Sequence, residues 1–554
     1  MRKIALMAVV VLAGLASGLL AAEAAPLYTK ANAPATPALG DMELKDSVSQ
    51  YGITWTFAEP APVGQFVNGE WYVVGPVTVK MIDPKPLFGD EIKGGGWTMV
   101  QKRDADGQVV KDDDGDDVYE VVDTEPTEAK DVPNGRYVRN GSVLNPPPVM
   151  DKSGFDSRVR HGRYDPALTA TLPIEMNPGD ALLSCRSMKA LRRRGHYTPL
   201  DDLAVLTCLK APVPPDAFRP GYMDREQVIY RASDLKRELL PTLEPVADVP
   251  DMGGLADRFA KPWYVLNVFK ASAASYQYGG YGQRSCFYLS RIYLYLCLDY
   301  TAEEKDPLLR SVVGFGIDMW AVVKSGHPGF PAWGGWNSGY KMPIVVAGYL
   351  LGDEVMASPS KAFPKCAFQE DEQTAYGPCW NGANVVFTGH SGYDAATLKS
   401  RDNVRGNHMW GYFEHLHPSL WVKDQVQSDG YRRCCTSRTW PGEALAARLM
   451  GLEKYWAHDA WFDYVDRWMY QDETGWFEIT SKEGHERVGW GPLKDWAKQG
   501  QVEDPFAAAM WKKYRTTLDA PTDGWRGTLK PNPNGIVMPK VNIPDGATMP
   551  ILPE

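Results

Sequence analysis

The side chains best suited to move protons crowd into one stretch, Asn407-His-Met-Trp-Gly-Tyr-Phe-Glu-His-Leu-His-Pro418, with Arg405 just before it. It holds three of the nine histidines, His408, His415 and His417, with Tyr412 and Glu414 among them. If 407–416 is helical, His408 and Tyr412 share a face at a spacing of four. His415 and His417 share a face only on an extended backbone, where they and Glu414 or His408 form a possible zinc-type ligand set. Pro418 follows directly, so at most a structural or supporting ion is expected, and no catalytic metal. His390 adds a loop imidazole in Thr388-Gly-His-Ser-Gly-Tyr393. The plain alternative is that these histidines are structural, as caps and core hydrogen-bond groups.

Aromatic residues give a second signal. The chain has nineteen Trp and twenty-seven Tyr. Flat rings stack on the C–H faces of sugars while neighbouring polar groups bind hydroxyls. Most of these rings can be core. The loop His327-Pro-Gly-Phe-Pro-Ala-Trp-Gly-Gly-Trp-Asn-Ser-Gly-Tyr340 is different, because Trp333 and Trp336 sit among glycines. Trp333, Trp336 and Tyr340 are therefore candidates for lining a ligand. Carboxylates give a third signal. An inverting hydrolase needs an acid and a base about 6.5–9.5 Å apart, and Glu370, Asp371, Asp394 and Glu414 are the candidates. The nucleophile elbow, the phosphate-binding loop, the dinucleotide fingerprint and the His-Glu-x-x-His motif are all missing from the sequence.

Composition sets the frame for these groups. The 554 residues are 44% hydrophobic, enough for a large core. Net charge is −10, and the acidic insertion 104–131 carries twelve acids against two lysines, the whole of it. The only tight basic run is Arg192-Arg193-Arg194, so no nucleic-acid partner is expected. The insertion suggests calcium, but its Gly and Glu are out of register for a twelve-residue calcium loop. A solvated acidic hairpin is the simpler expectation.

Residues 1–24 read as a signal peptide, with Arg2 and Lys3, an apolar stretch from Ile4 to Leu20, and Ala22-Glu23-Ala24 before the cut. A secreted or periplasmic protein follows, with no membrane anchor after cleavage. Eight cysteines are too few for a disulfide scaffold. Cys366 and Cys379 make the best local pair. Cys434-Cys435 is either a strained vicinal disulfide or two separate thiols. Cys286 and Cys297 are core thiols about 16 Å apart along a helix.

Two kinds of element must position these groups. Residues 25–250 alternate in short strands with turn signals, at 51–57, 71–82, 168–174, 181–185 and 203–209. That pattern predicts an antiparallel β-sandwich-like domain. Pro241, Pro245, Pro250 and Gly253-Gly254 mark a boundary. Residues 251–518 then read as helices at 284–300, 306–324, 342–351, 443–452, 458–469 and 506–514. Residues 519–554 read as an extended tail. The fold class expected is α+β with two parts.

The apolar helix 284–300, the loop 327–340, the segment 407–418 and Tyr431-Arg-Arg-Cys-Cys-Thr-Ser-Arg-Thr-Trp440 together resemble secreted bacterial carbohydrate-active proteins that join a β-sandwich to an incomplete (α/α) toroid, notably polysaccharide lyases. The resemblance implies β-elimination on a uronic-acid polymer, with His408 or Tyr412 as base and Asn337 and Arg405 neutralising the substrate carboxylate. His390 joins that set, and Trp333, Trp336, Tyr340, Arg432 and Arg433 become substrate-binding candidates. An inverting glycoside hydrolase and a non-catalytic glycan binder remain open. No cofactor is expected beyond a structural Ca or Zn, and the one expected partner is a polysaccharide. The shared cleft is expected between the two parts, lined by 327–340, 388–394 and 405–417.

Overall fold

The computed structural model describes residues 26–88, 96–111, 117–124, 138–148, 154–158, 165–191, 200–265, 282–390, 413–471, 487–488, 491–492, 501–532 and 538–546. Eight strands form the main sheet: β1 Glu43–Gln50, β2 Ile53–Gln65, β3 Trp71–Val74, β4 Val77–Asp83, β5 Ser142–Leu144, β6 Ile174–Met176, β7 Ala181–Ser187 and β8 Leu200–Leu209. Their order is β6-β4-β2-β3-β8-β7-β5, with β1 on β2. All pairs are antiparallel except β3 with β8, where Cys208 lies opposite Val73. The sheet curls into a half-barrel around Trp55, Phe57, Val79, Leu182, Ala204 and Leu206. In β7 and β8 the alternate residues Leu183, Cys185, Leu203 and Val205 face the other way and join the core of the helices. Both faces of these two strands are thus apolar, which explains their nearly unbroken hydrophobic runs.

Two strand expectations change. The run 71–82 is split at Gly75-Pro76 into β3 and β4, because proline has no N–H to give a ladder. The alternation at 168–174 mostly does not form a strand. Pro166–Leu168 is a short 3-10 turn, and only Ile174 enters β6. The acidic insertion is a hairpin where it is described. Gly96–Gln101 pairs antiparallel with Tyr119–Thr124. Asp104 Oδ1 accepts from the N–H groups of Asp106 (3.0 Å) and Gln108 (2.8 Å). It closes its own turn.

The helices match the apolar pattern closely. They are α1 Leu255–Ala260, α2 Gly282–Leu296, α3 Ala302–Lys324, α4 Lys341–Leu351, the short α5 Gln369–Glu372, α6 Lys423–Tyr431, α7 Trp440–Leu449, α8 Asp459–Tyr470 and α9 Pro505–Tyr514. α3 starts in a capping box: Glu304 N–H donates to Thr301 Oγ1 and Thr301 N–H donates back to Glu304 Oε2. α4 ends at Gly352 with φ +75°, the left-handed turn glycine permits. α3 packs on α4 and on α1, and α2 packs on α7. Leu243 pairs with Leu298, so the proline-rich boundary is stitched to the end of α2. Among the described residues no helix is long and apolar enough to cross a membrane.

Candidate functional site

α5 is one turn long, yet with Gln373 at its end it holds two segments together. Gln369 Nε2 donates to Gly334 O (2.7 Å), and Gln369 Oε1 accepts from Asn337 N–H (2.9 Å). Gln373 Nε2 donates to both Gly334 O and His390 O, each at 3.0 Å. Gly334 N–H also donates to His390 O (2.9 Å). The loop 331–339 and the strand end at His390 are therefore fixed to each other through one buried turn. Gly334 has φ +59°, and a Cβ there would sit 2.9 Å from His390 Nε2. Glycine is required for that approach.

His390 is 5% exposed. Its ring lies edge-on to Trp333, with centroids 5.3 Å apart, and to Tyr431 at 4.6 Å. Its N–H donates to Ser428 Oγ (3.3 Å). Burial pushes its pKa down to about 3, so the imidazole is neutral. Trp333, Trp336 and Tyr431 are half-buried. Gly282 N–H donates to Trp336 O (3.0 Å) and Gln283 N–H to Gly335 O (2.7 Å), which seats the start of α2 against the same loop. Beside it, Arg284 pairs with Glu503 (3.1 Å), and Gln283 Nε2 bridges Glu503 Oε2 (2.7 Å) and Cys434 O (3.0 Å). Arg438 is half-buried, and burial lowers its pKa against the field of Glu503, which favours the charged form. A rim of three aromatic rings and two arginines thus gathers from 282–284, 333–336, 390 and 431–438.

Trp333 and His390 come together, and Trp336 lies on the same loop, its N–H donating to Trp333 O (3.0 Å). His408, Tyr412, Arg405 and Asp394 lie outside the described residues. Contacts among the rim residues join segments within 282–503. Asn337 is fully buried and donates Nδ2 to Pro331 O (2.8 Å), shaping its own loop. Tyr340 is core: it is 1% exposed and stacks on Phe330 at 5.0 Å.

Arg432 and Arg433 do not face outward either. Residues 432–436 form a π-turn, an uncommon winding that often accompanies functional sites. The preceding Asp429, three and four positions back, captures both guanidinium groups, Arg432 at 2.7 Å and Arg433 at 2.9 Å. Arg432 also meets Glu414 (3.2 Å), and Arg467 grips the same carboxylate through two nitrogens at 2.7 and 3.1 Å. Phe387 N–H adds a bond to Glu414 Oε2 (2.7 Å). This buried network of three arginines and two carboxylates lies directly beneath Tyr431.

The other hydrolase candidates are also tied down. Lys341 Nζ donates to Asp371 Oδ2 (2.6 Å), and Trp456 Nε1 donates to Asp371 Oδ1 (3.0 Å). Glu370 Oε1 accepts from Ser338 Oγ (3.0 Å) and Gly339 N–H (2.7 Å). His417 Nδ1 accepts from Ser419 N–H (3.2 Å), capping the turn Pro418–Leu420. Glu414, one of the two partners sketched for His415 and His417, is bound by arginines, and the other, His408, lies outside the described residues. Among the described residues no three His, Cys, Asp or Glu side chains could hold a metal ion. All eight cysteines are free thiols. Neither the Cys366–Cys379 nor the Cys434–Cys435 bond is formed. Cys434 instead donates to Tyr431 O inside the π-turn.

Sequence reasoning passed over Gln369, Gln373, Tyr431 and Arg284. Tyr431 was the most findable, since it opens the Arg-Arg-Cys-Cys run. The glutamines carry no signal, because an amide is recognised as a clamp only when its carbonyl partners are known. No protein-family model matches the chain, and no curated protein or solved structure matches it.

Proposed function

We propose that the chain is a secreted protein that acts on polysaccharide, a lyase cleaving uronic-acid polymers by β-elimination. The observation that carries this reading is the half-buried rim, where Trp333 and Tyr431 flank the neutral His390 imidazole and the half-buried Trp336, Arg284 and Arg438 lie on segments bonded to the same loop. Rings of that kind stack on sugar faces. A guanidinium matches a carboxylate bidentately, which lysine cannot do. In the proposed reaction Arg438 and Arg284 neutralise the uronate carboxylate and so acidify the adjacent C–H. A base removes that proton, the electron pair forms a C=C bond, the glycosidic C–O bond breaks with its pair on oxygen, and the departing oxygen takes up a proton from solvent. His408 or Tyr412 is the base that the lyase resemblance suggests, and Arg405 joins the neutralising arginines. The curled sheet takes the place of the sandwich in this scheme, and the α2–α7 and α3–α4 pairs are read as part of an incomplete toroid.

The hydrolase reading is weaker. Glu370, Asp371 and Glu414 each have buried structural partners, and Asp394 lies outside the described residues. The test is a panel of neutral and uronic-acid polysaccharides incubated with the purified protein. New ultraviolet absorbance from an unsaturated product on uronic polymers alone is expected, with Trp333→Ala and Arg438→Gln each lowering it about tenfold or more. New reducing ends without that absorbance would mean hydrolysis. Retention without turnover would mean a binding protein.

A further inference from the structure

Beneath the same loop lie two acids with no arginine or lysine bonded to either among the described residues. Glu370 on α5 is fully buried and Glu443 on α7 is 1% exposed. Glu370 Oε1 has its two donors from Ser338 and Gly339, but Oε2 has none. Glu443 Oε2 meets only the thiol of Cys286 (3.3 Å), and Oε1 has no partner. An ionised carboxylate needs several donors or a cation, and burying it otherwise is very costly. Two neighbouring carboxylates cannot both meet that cost.

The surroundings offer no rescue. From α2 come Cys286 and the phenol of Tyr293, both themselves pushed toward their neutral forms by burial and by Glu443. From α4 comes Lys341, whose ammonium is already bonded to Asp371 and to Trp456 O. Asp371 adds negative field at both acids. α8 contributes Trp461 and Tyr464 against Trp440, and α9 contributes Ala507 against Gly442. His458 sits beyond Thr374.

We propose that Glu370 and Glu443 keep at least one proton between them at neutral pH, and that this proton is what allows the loop Trp333–Gly339 to stay seated on α5 and α7. Ser338 links the two sides: its hydroxyl donates to Glu370 and accepts from Trp440 Nε1 (2.9 Å) at the start of α7. Loss of the proton places a second charge in a dry site. The cheapest relief is for the loop to lift and admit water, carrying Trp333 and Trp336 with it. Burial raises the Glu370 carboxyl to about 7 and Glu443 further still. Groups shifted in this direction stabilise the fold fully below the ordinary carboxyl range, and that stability is lost as pH rises through about 7. This inference holds whatever substrate the rim takes.

The experiment is the thermal midpoint and tryptophan fluorescence of the whole chain between pH 5.5 and 8.5, for wild type, Glu443→Gln and Glu370→Gln. Glutamine keeps the shape and supplies the missing proton permanently. Wild type is expected to lose midpoint and gain solvent-quenched tryptophan signal as pH rises. Glu443→Gln should remove about half or more of both changes while folding normally at pH 5.5. Glu70 also has a carboxyl raised to about 7 by burial, so the difference between wild type and variant is the measure. Equal pH slopes in wild type and both variants would overturn the proposal. So would a Glu443→Gln midpoint lower than wild type at pH 8.5. If Glu370→Gln fails to fold, the Glu443→Gln slope and wild-type quenching still decide.

Discussion

Two buried polar regions flank the candidate rim, and they solve the same problem oppositely. Around Glu414 and Asp429, every carboxylate is matched by guanidinium groups, so charge is buried as ion pairs. Around Glu370 and Glu443, no guanidinium arrives among the described residues, and burial favours the protonated form of each acid. The depth is the same. What differs is whether the neighbouring elements bring an arginine: the π-turn and α8 bring Arg432, Arg433 and Arg467 to Glu414 and Asp429, while α2 and α4 bring Glu370 and Glu443 only a thiol, a phenol and a lysine already engaged. Burial alone does not tell how a carboxyl is charged; its nearest donors do.

The comparison breaks most decisively at Arg467. Arg467→Met leaves Glu414 with half its partners in a dry site, at an expected loss of about 3–5 kcal/mol in denaturant unfolding. A loss near zero would show that water reaches Glu414. Removing charge at Glu443 should by contrast be neutral or stabilising.

A second contrast sets acids against imidazoles. Burial lowers His390 to about 3 and His327 to about 4. The fold favours their neutral forms, so their contribution is complete above the ordinary value of about 6.5 and falls with pH below it. Each should cost about 1.4 kcal/mol per pH unit in that range. His390→Asn is expected to reduce the acid-side slope and leave the alkaline side unchanged, read as unfolding free energy from pH 4.5 to 8.5.

The loop itself can be tested through Gly334→Ala. The substitution forces a side chain into a left-handed backbone against the His390 ring, at an expected cost of about 1–3 kcal/mol. Trp333 fluorescence should shift as well. An unchanged spectrum would separate the loop from His390. At the small end, Lys102→Ala removes an exposed pair with Glu120 (3.7 Å) on the acidic hairpin. It should change stability by no more than about 0.5 kcal/mol.

Much of the frame was readable in the sequence. The apolar runs gave α2, α3, α4, α7, α8 and α9 nearly to their ends, and β7 and β8 as short strands. The parallel pairing of β3 with β8 was not readable, since local alternation says nothing of which strand lies alongside. In the site, glycines beside Trp333 and Trp336 marked a loop worth attention. The fates of Arg432, Arg433, Tyr340 and Asn337 were hidden. A polar side chain looks the same in sequence whether it meets solvent or a buried partner, and here Asp429, Phe330 and Pro331 decide.

The double-faced β7 and β8 have a consequence for how the chain is made. Synthesis delivers the strands first, before most of the core that Leu183, Cys185, Leu203 and Val205 belong to. The residues that α2, α3 and α4 add to that core come later. The nascent β-rich half therefore carries a sticky flank for as long as translation takes to reach 351, and nascent chains in that condition depend on holding factors to avoid aggregation. A gene cut at 250 would make that waiting state permanent.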